Sequence, residues 1–446
     1  MMRGIFFLAA IAAFQFSFGQ NQIEPCGQVA YEAYLESQFP GMQEHLTELR
    51  RTSTRHILQN KHAKYQDHDT VFKIPVVFHI LYNNPLENLD DSLIFSQLRV
   101  LNEAYRHTHA DTGRVRLEFD DRDADAGIEF YLATEDPDGN PTSGINRVST
   151  SVSSFMPQFQ FTENMKRPTR GGVAAWDTDK YLNIWVCDIS ISGNDVLLGY
   201  AFPPTGAANW NSGSYTSSQF QGVVLHYKIV GENNTLARFN NRGGKTAIHE
   251  VGHYLGLRHV WGDPQGFQDG CSPSIDDGIE DTPLCRTNHS GRCNFFSNTC
   301  GVGEPGDLPD MVENYMDYST DDCQIMFTRQ QVQMMRYNLL FLRPQLSQME
   351  IKTPPEPEIS FTSSTISPNP INRTGQVYME TESETNDPIT LRIYNMMGQE
   401  VAQYDLTTNE VHDVIFSFGA NGHYIARVYS DSNELIHRQR LVVMTE

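Results

Sequence analysis

The chain has 446 residues, with 33 basic and 55 acidic side chains giving a formal net charge of −22, and 39% of its residues are hydrophobic. That length holds two or three domains, one of them large enough to bury a full core. The acidic excess argues against nucleic acid or an anionic membrane as a partner and suits a soluble protein, with some attraction for basic substrates.

The first residues, 1–19, form a candidate signal peptide: Arg3 is followed by an apolar run from Ile5 to Phe14, and Ser17 and Gly19 are small enough to flank a cleavage site. The run is too short for a membrane anchor, and no other stretch is long and apolar enough to span a bilayer. Export follows, into a compartment where disulfides persist. Residues 20–65 are polar, basic and weakly periodic, with Arg50, Arg51, Arg55, Lys61 and Lys64 as cleavage points, and read as a propeptide.

A catalytic domain is expected over residues 66–346. It opens with an apolar strand, Ile74-Pro75-Val76-Val77-Phe78-His79-Ile80. Asp91 can cap a helix that places Ile94, Leu98, Leu101 and Tyr105 on one face. Further strands are predicted at Ile128–Ala133, Tyr181–Val186 and Val223–Tyr227. The expected class is α/β (α+β): a twisted sheet with a backing helix, then an active-site helix, above an irregular lower subdomain.

That active-site helix carries the most informative stretch, His249-Glu250-Val251-Gly252-His253-Tyr254-Leu255-Gly256-Leu257-Arg258-His259. Residues four apart on a helix project from one face, so His249 and His253 can close on a single zinc ion. Glu250 is placed to take a proton from a water at that ion rather than to bind it. Gly256 accepts a positive φ at low cost, so the helix can stop and the chain turn back to bring in His259 as a third nitrogen. The fourth position stays open. The extended spacing and a later methionine in Glu313-Asn314-Tyr315-Met316-Asp317-Tyr318 form the metzincin pattern, in which Met316 makes an apolar floor beneath the imidazoles.

Beyond His259 the chain is rich in Gly, Pro, Asp and Cys. Five of the seven cysteines fall in the 53 residues from Cys271 to Cys323, a segment that relies on cross-links. An odd count leaves at least one free thiol or metal ligand, for which Cys26 is the candidate. Thr328 and Gln331 make a capping-box pair that opens a helix with Val332, Met335 and Leu339 inward. A proline-rich linker is expected at 347–360, and short alternating strands then predict a small all-β sandwich over 361–446.

From about Phe72 to Leu342 the sequence resembles the pappalysin family of metzincin metalloproteases, in its small bacterial branch. Besides the zinc and Met-turn motifs, the resemblance rests on Tyr181-Leu182-Asn183-Ile184-Trp185-Val186-Cys187 and Glu280-Asp281-Thr282-Pro283. It implies a secreted zinc metalloendopeptidase acting on protein or peptide substrates. In such enzymes the tyrosine at the position of Tyr318 stabilises the transition state. Cys26-Gly27 looks like a cysteine switch, whose thiolate binds the zinc and keeps the zymogen latent; a disulfide to Cys187 or Cys285 is the other reading of that thiol. The resemblance also pairs Cys271 with Cys300 and Cys293 with Cys323, leaving Cys187 as a buried thiol and the role of Cys285 open. Asp276, Asp277, Asp281 and Thr282 fall in the family's structural calcium loop, oxygen ligands for a hard ion. Asp322 matches an acidic residue of the specificity pocket, which as a buried carboxylate favours Arg or Lys just after the scissile bond.

The tail is similar to the C-terminal sorting domains of type IX secretion, on Ile366-Ser367-Pro368-Asn369-Pro370, Ile393-Tyr394-Asn395-Met396-Met397-Gly398 and Gly422-His423-Tyr424. It implies a partner in the secretion machinery and a secreted or cell-surface location. A zinc-stabilised surface adhesin without turnover is the competing class; the intact Glu250 and the open fourth position speak against it.

Overall fold

The computed structural model describes residues 24–59, 70–156, 158, 161–195, 197–204, 218–237, 241–264, 268–351, 363–367, 371–372, 374–382, 386–395, 400–417, 422–430 and 435–444; the expected signal peptide lies outside them. In chain order the first part contains β1 (Glu24–Cys26), α1 (Gln28–Gln38), α2 (Met42–Gln59), β2 (Thr70–Tyr82), α3 (Asp91–Tyr105), β3 (Ile128–Leu132), β4 (Ile145–Ser149), β5 (Leu182–Cys187), β6 (Leu197–Ala201), β7 (Val223–His226), α4 (Lys245–Tyr254), α5 (Arg329–Phe341) and β8 (Gln348–Ile351).

One sheet organises this part, in the order β1-β6-β7-β5-β2-β3, with β4 and β8 also paired to β2. β2 runs parallel to β3, β4 and β5, and β5 runs parallel to β7. β6 is antiparallel to β7, while β1 joins its outer edge in parallel. Parallel strands covered on both faces read as continuous apolar runs, which is why β2, β5 and β7 were visible in the sequence. Their alternate residues feed two separate cores. Leu182, Ile184 and Val186 of β5 join Val223 and Leu225 of β7 on the side of α3 and α4. Trp185, Cys187 and Val224 point to the other side, where α1 and α2 contribute Tyr31, Leu35 and Leu46.

The segment expected to be a weakly patterned propeptide is therefore folded. Its inward residues are few and sit among polar ones, so the periodicity is faint, yet it closes one face of the sheet. The helix cap also differs by one residue: Asp90 accepts from Ser92 N at 2.9 Å, and Asp91 is the first helical residue. On α3, Ile94, Leu101 and Tyr105 are fully buried and Leu98 is only partly so. α5 carries the expected capping box, with Thr328 and Gln331 each bonding the other's backbone N–H. Within the stretch expected as a linker, β8 pairs antiparallel with the start of β2, Thr70 opposite Ile351. A polar strand at a sheet edge has no apolar run to announce it.

The tail forms a five-stranded sheet, β10 (Ile371–Asn372), β16 (Leu435–Met444), β15 (Gly422–Ser430), β12 (Pro388–Asn395) and β13 (Glu400–Thr407), beside a three-stranded sheet of β14 (Val411–Ser417), β11 (Thr374–Glu382) and β9 (Ser363–Ser367). Leu391, Ile393, Ala426, Val428 and Leu441 make its core, as their alternation predicts.

Candidate metal centre

α4 lies between the sheet and the lower subdomain and is buried along its whole length after Lys245. Its N-cap, Gly244, has a φ of 68° and no side chain to cap with; the buried Gln97 of α3 donates to Gly244 O at 2.9 Å and accepts from Gly231 N at 2.9 Å. At the other end Gly256 has a φ of +98°, and a Cβ there would stand 2.1 Å from Asn338 Nδ2. Only glycine turns the chain at that place. Leu257 N then returns to Gly252 O at 3.0 Å, and His259 comes back over the helix.

The three histidines converge. His253 Nε2 lies 3.1 Å from His249 Nε2 and 3.1 Å from His259 Nε2. Each ring's other nitrogen faces an acceptor: His249 Nδ1 is 2.7 Å from Tyr315 O, His253 Nδ1 is 2.9 Å from Leu257 O, and His259 Nδ1 is 2.6 Å from Asp263 Oδ1. A carbonyl or carboxylate acceptor requires Nδ1 to carry the proton, so in the neutral rings three Nε2 lone pairs point at one another. Burial, with the charges of neighbouring rings, pushes His249 down to about 3 and His253 well below the usual range, so protonation does not relieve the crowding. A divalent cation does, and the donor set fits zinc. Cys26 Sγ completes the group, lying with one nitrogen of each ring inside a 4.8 Å cluster.

Cys26 is placed by β1, where it sits opposite Gly199 of β6. Gln28 N donates to Cys26 Sγ at 3.3 Å, and Gly27 N to Gly199 O at 2.8 Å. Burial and the neighbouring Glu250 charge push the Cys26 thiol up. Glu250 is fully buried with neither carboxylate oxygen hydrogen-bonded among the described residues, and burial holds its carboxyl well above the ordinary range. Gly199 makes room for it, since a Cβ there would stand 2.8 Å from Glu250 Cγ.

Beneath the rings, Met316 is fully buried, and a Cβ on Gly252 would meet its Sδ at 2.5 Å, so the thioether lies directly against α4 between the two helical histidines. Asn314 Oδ1 accepts from Met316 N at 2.9 Å and fixes this turn. The Tyr318 ring lies 4.9 Å from that of His259, and its hydroxyl donates to Cys26 O at 3.2 Å.

Disulfides join Cys271 to Cys300 and Cys293 to Cys323, with Cα–Cα distances of 5.4 Å and 5.6 Å, and Cys187 and Cys285 are buried free thiols. Of the four residues expected to hold calcium, Thr282 Oγ1 donates to Asp277 at 3.0 Å and Asp276 Oδ1 accepts from Asp277 N at 2.8 Å. Asp281 faces elsewhere, accepting from Gln330 N at 3.0 Å at the start of α5. Asp322, expected to be buried, is exposed, and its neighbour Asp321 is the buried carboxylate, accepting from Gly243 N at 2.7 Å.

Several supporting residues had escaped the sequence reading. Asp263, which orients His259, stood four residues beyond it and was findable. The buried ring of His289 was not: Nδ1 is 2.6 Å from Asp317 Oδ2 and Nε2 is 3.1 Å from Asp310 Oδ2, three residues brought together only by the fold. Burial alone lowers the pKa of this ring, but its bonds to the two aspartates reverse the effect and push it up to about 9. A raised histidine stabilises fully below the unfolded value of about 6.5, progressively less above it, and not at all beyond about 9. The melting temperature should therefore fall across that window in the wild type, while a His289→Gln variant shows a flatter profile; parallel profiles would remove the imidazolium from the account.

The profile of the family described as pregnancy-associated plasma protein-A matches residues 172–340, and that of a secretion system C-terminal sorting domain matches residues 365–444. Extracellular metalloprotease 1 of Coccidioides posadasii is 31% identical over 273 residues, covering 60% of this chain and 76% of that protein. An extracellular metalloprotease of Arthroderma gypseum is 26% identical over 75% of this chain and 89% of its own length. Among solved structures, mature mirolysin of Tannerella forsythia in complex with a cleaved peptide aligns at 39% identity and a TM-score of 0.54, over 62% of this chain and 95% of its own. A promirolysin mutant from the same organism aligns at 34% identity and a TM-score of 0.58, over 72% and 96%. No helix among the described residues is long and apolar enough to cross a membrane. This chain belongs to the pappalysin family and is a metalloendopeptidase, secreted or held at the cell surface, whose tail is a sorting domain.

Proposed function

We propose that the chain is a zinc-dependent endopeptidase made as a latent zymogen, with a signal peptide at 1–19, a propeptide at 20–65, a catalytic domain at 66–346, a linker at 347–360 and the sorting domain at 361–446. The observation that carries this reading is the meeting of three Nε2 lone pairs beside a buried carboxylate with no hydrogen-bond partner of its own among the described residues.

His249, His253 and His259 hold the ion, each ring oriented by its Nδ1 bond. When bound, zinc lowers the pKa of a water toward about 7 and polarises the substrate carbonyl. Glu250, raised by burial, takes the proton of the attacking water and passes it to the leaving amine. The Tyr318 hydroxyl, which donates to a backbone carbonyl at this spot in the latent chain, donates to the oxyanion of the substrate during turnover. Cys26, whose Sγ lies in the same 4.8 Å cluster as the three rings, would hold the ion with them in the latent chain, and removal of the propeptide would take it away. A preference for Arg or Lys just after the scissile bond is carried over from the family position that Asp322 matches; the cavity of about 680 Å³ that it lines with Asp321 also takes in Arg99, Arg242 and Lys245. Calcium is proposed for the loop of Asp276, Asp277 and Thr282, where Thr282 Oγ1 donates to Asp277 at 3.0 Å and Asp276 Oδ1 accepts from Asp277 N at 2.8 Å, with Asp281 turned toward α5. The partners are peptide substrates and, through the tail, the secretion machinery.

Elemental analysis of the purified, processed enzyme together with its cleavage profile on a mixed peptide library tests the reading. Stoichiometric zinc and internal cuts before basic residues are expected. Folded protein without zinc, or no cleavage, would overturn it.

A further inference from the structure

Tyr31, on α1 of the propeptide, is fully buried in a cage that belongs to the catalytic domain. Its ring centroid lies 4.6 Å from that of Tyr200, 5.2 Å from Phe161 and 6.2 Å from Phe202. The ammonium of Lys166 stands 5.6 Å from the Tyr31 centroid and 5.1 Å from that of Trp185, and donates to Phe220 O at 2.7 Å. Glu163 pairs with it, Oε2 to Nζ at 2.8 Å, both side chains at most 2% exposed.

This is an unusual floor for a hydrophobic pocket. A buried ion pair is costly unless its remaining polar atoms are satisfied. Glu163 Oε1 and the Tyr31 hydroxyl both lack a hydrogen-bond partner of their own among the described residues, and the Glu163 charge, after burial, is the largest influence on the phenol. Glu163 also holds a φ of +54°, a left-handed conformation that is unfavourable for a residue with a Cβ. A strained, buried carboxylate beside an ammonium and four aromatic rings is built to receive a ring with a polar tip.

The cage lies on the sheet face opposite α4, beside the strand that the propeptide pairs with at the metal. Cys26, at the metal, is level with Gly199 of β6, and Tyr200 and Phe202 follow directly along the same edge. An extended peptide tracking β6 advances about 3.3 Å per residue, so it reaches the cage roughly one to three residues from the metal.

We propose that the cage filled by Tyr31 in the latent chain becomes, once the propeptide is cut away, a substrate subsite for an aromatic side chain, tyrosine above all. The inference rests on the latency reading given above. The test is kcat/KM of the processed enzyme on matched peptides carrying Tyr, Phe, Leu or Ala at each of the three positions on either side of the cleaved bond. At one position Tyr should exceed Ala by about tenfold or more, with Phe between them. That ratio should collapse in Phe161→Ala and in Glu163→Gln, and Phe161→Leu, a milder change that keeps the site apolar, should lower it less. Because the ratio is the readout, a general loss of activity does not imitate the effect. Equal rates for all four side chains, or an aromatic preference unchanged in the variants, would overturn the subsite alone; no cleavage of any peptide by the wild type would overturn the protease reading with it.

Discussion

Replacing Glu250 with glutamine should lower peptide turnover by roughly 10²-fold to 10⁴-fold while leaving zinc content unchanged. The size of the effect follows from where the carboxylate stands: it is fully buried, without a hydrogen bond of its own among the described residues, and its pKa is raised by burial. A base whose pKa is raised by burial holds a proton taken from water more readily than an exposed carboxylate does. Glutamine has the same shape, so its packing against Gly199 is kept, but it cannot serve as the base. The folded state should not suffer, since the substitution removes a desolvated acid rather than a paired one. Unchanged melting, unchanged zinc and a collapsed kcat is the expected signature; a rate equal to wild type would take the general base away from this residue.

The second large effect is on latency. Cys26→Ala should produce a full-length chain that begins to process itself and cleave peptides without delay, shortening the lag before activity by an order of magnitude or more. A metal–thiolate bond is worth several kcal/mol, and about 1.4 kcal/mol already corresponds to tenfold. The effect should fall short of full activation, because the pairing of β1 with β6 and the burial of Tyr31 remain in place. A lag identical to wild type would show that those contacts, not the thiol, hold the enzyme silent. Following the lag with a quenched peptide while sampling the chain by electrophoresis separates early activity from early processing.

Much of the centre was legible because its residues lie close together in sequence. His249, Glu250, His253, Gly256 and His259 follow from helical spacing and one turn, and the fold brings His249 Nε2 and His259 Nε2 each to 3.1 Å from His253 Nε2. Met316 was visible only as part of an ordered pattern. The strands β2, β5 and β7 announced themselves by being apolar on both faces, whereas β1, β6 and β8 did not. A three-residue strand such as β1, Glu-Pro-Cys, carries no periodicity at all, and its place is set by the neighbour it pairs with. Asp322 shows the limit of carrying over a position: the residue is where it was expected in the chain, but its side chain is exposed and that of Asp321 is buried. Which of two adjacent carboxylates turns inward is decided by the loop geometry, and sequence spacing is blind to it. His289 with Asp310 and Asp317 is a purely tertiary arrangement.

The parallel contact of Glu24–Cys26 with the rim of the sheet carries a consequence for the life of the molecule before it works. Without that short segment, β6 would travel through the cell as an open margin of unsatisfied amides and carbonyls, inviting any passing strand to add itself on. Covering it during transit guards the precursor against sticking to its own copies. Once that segment is gone, the same amides and carbonyls are open to pair with another extended chain.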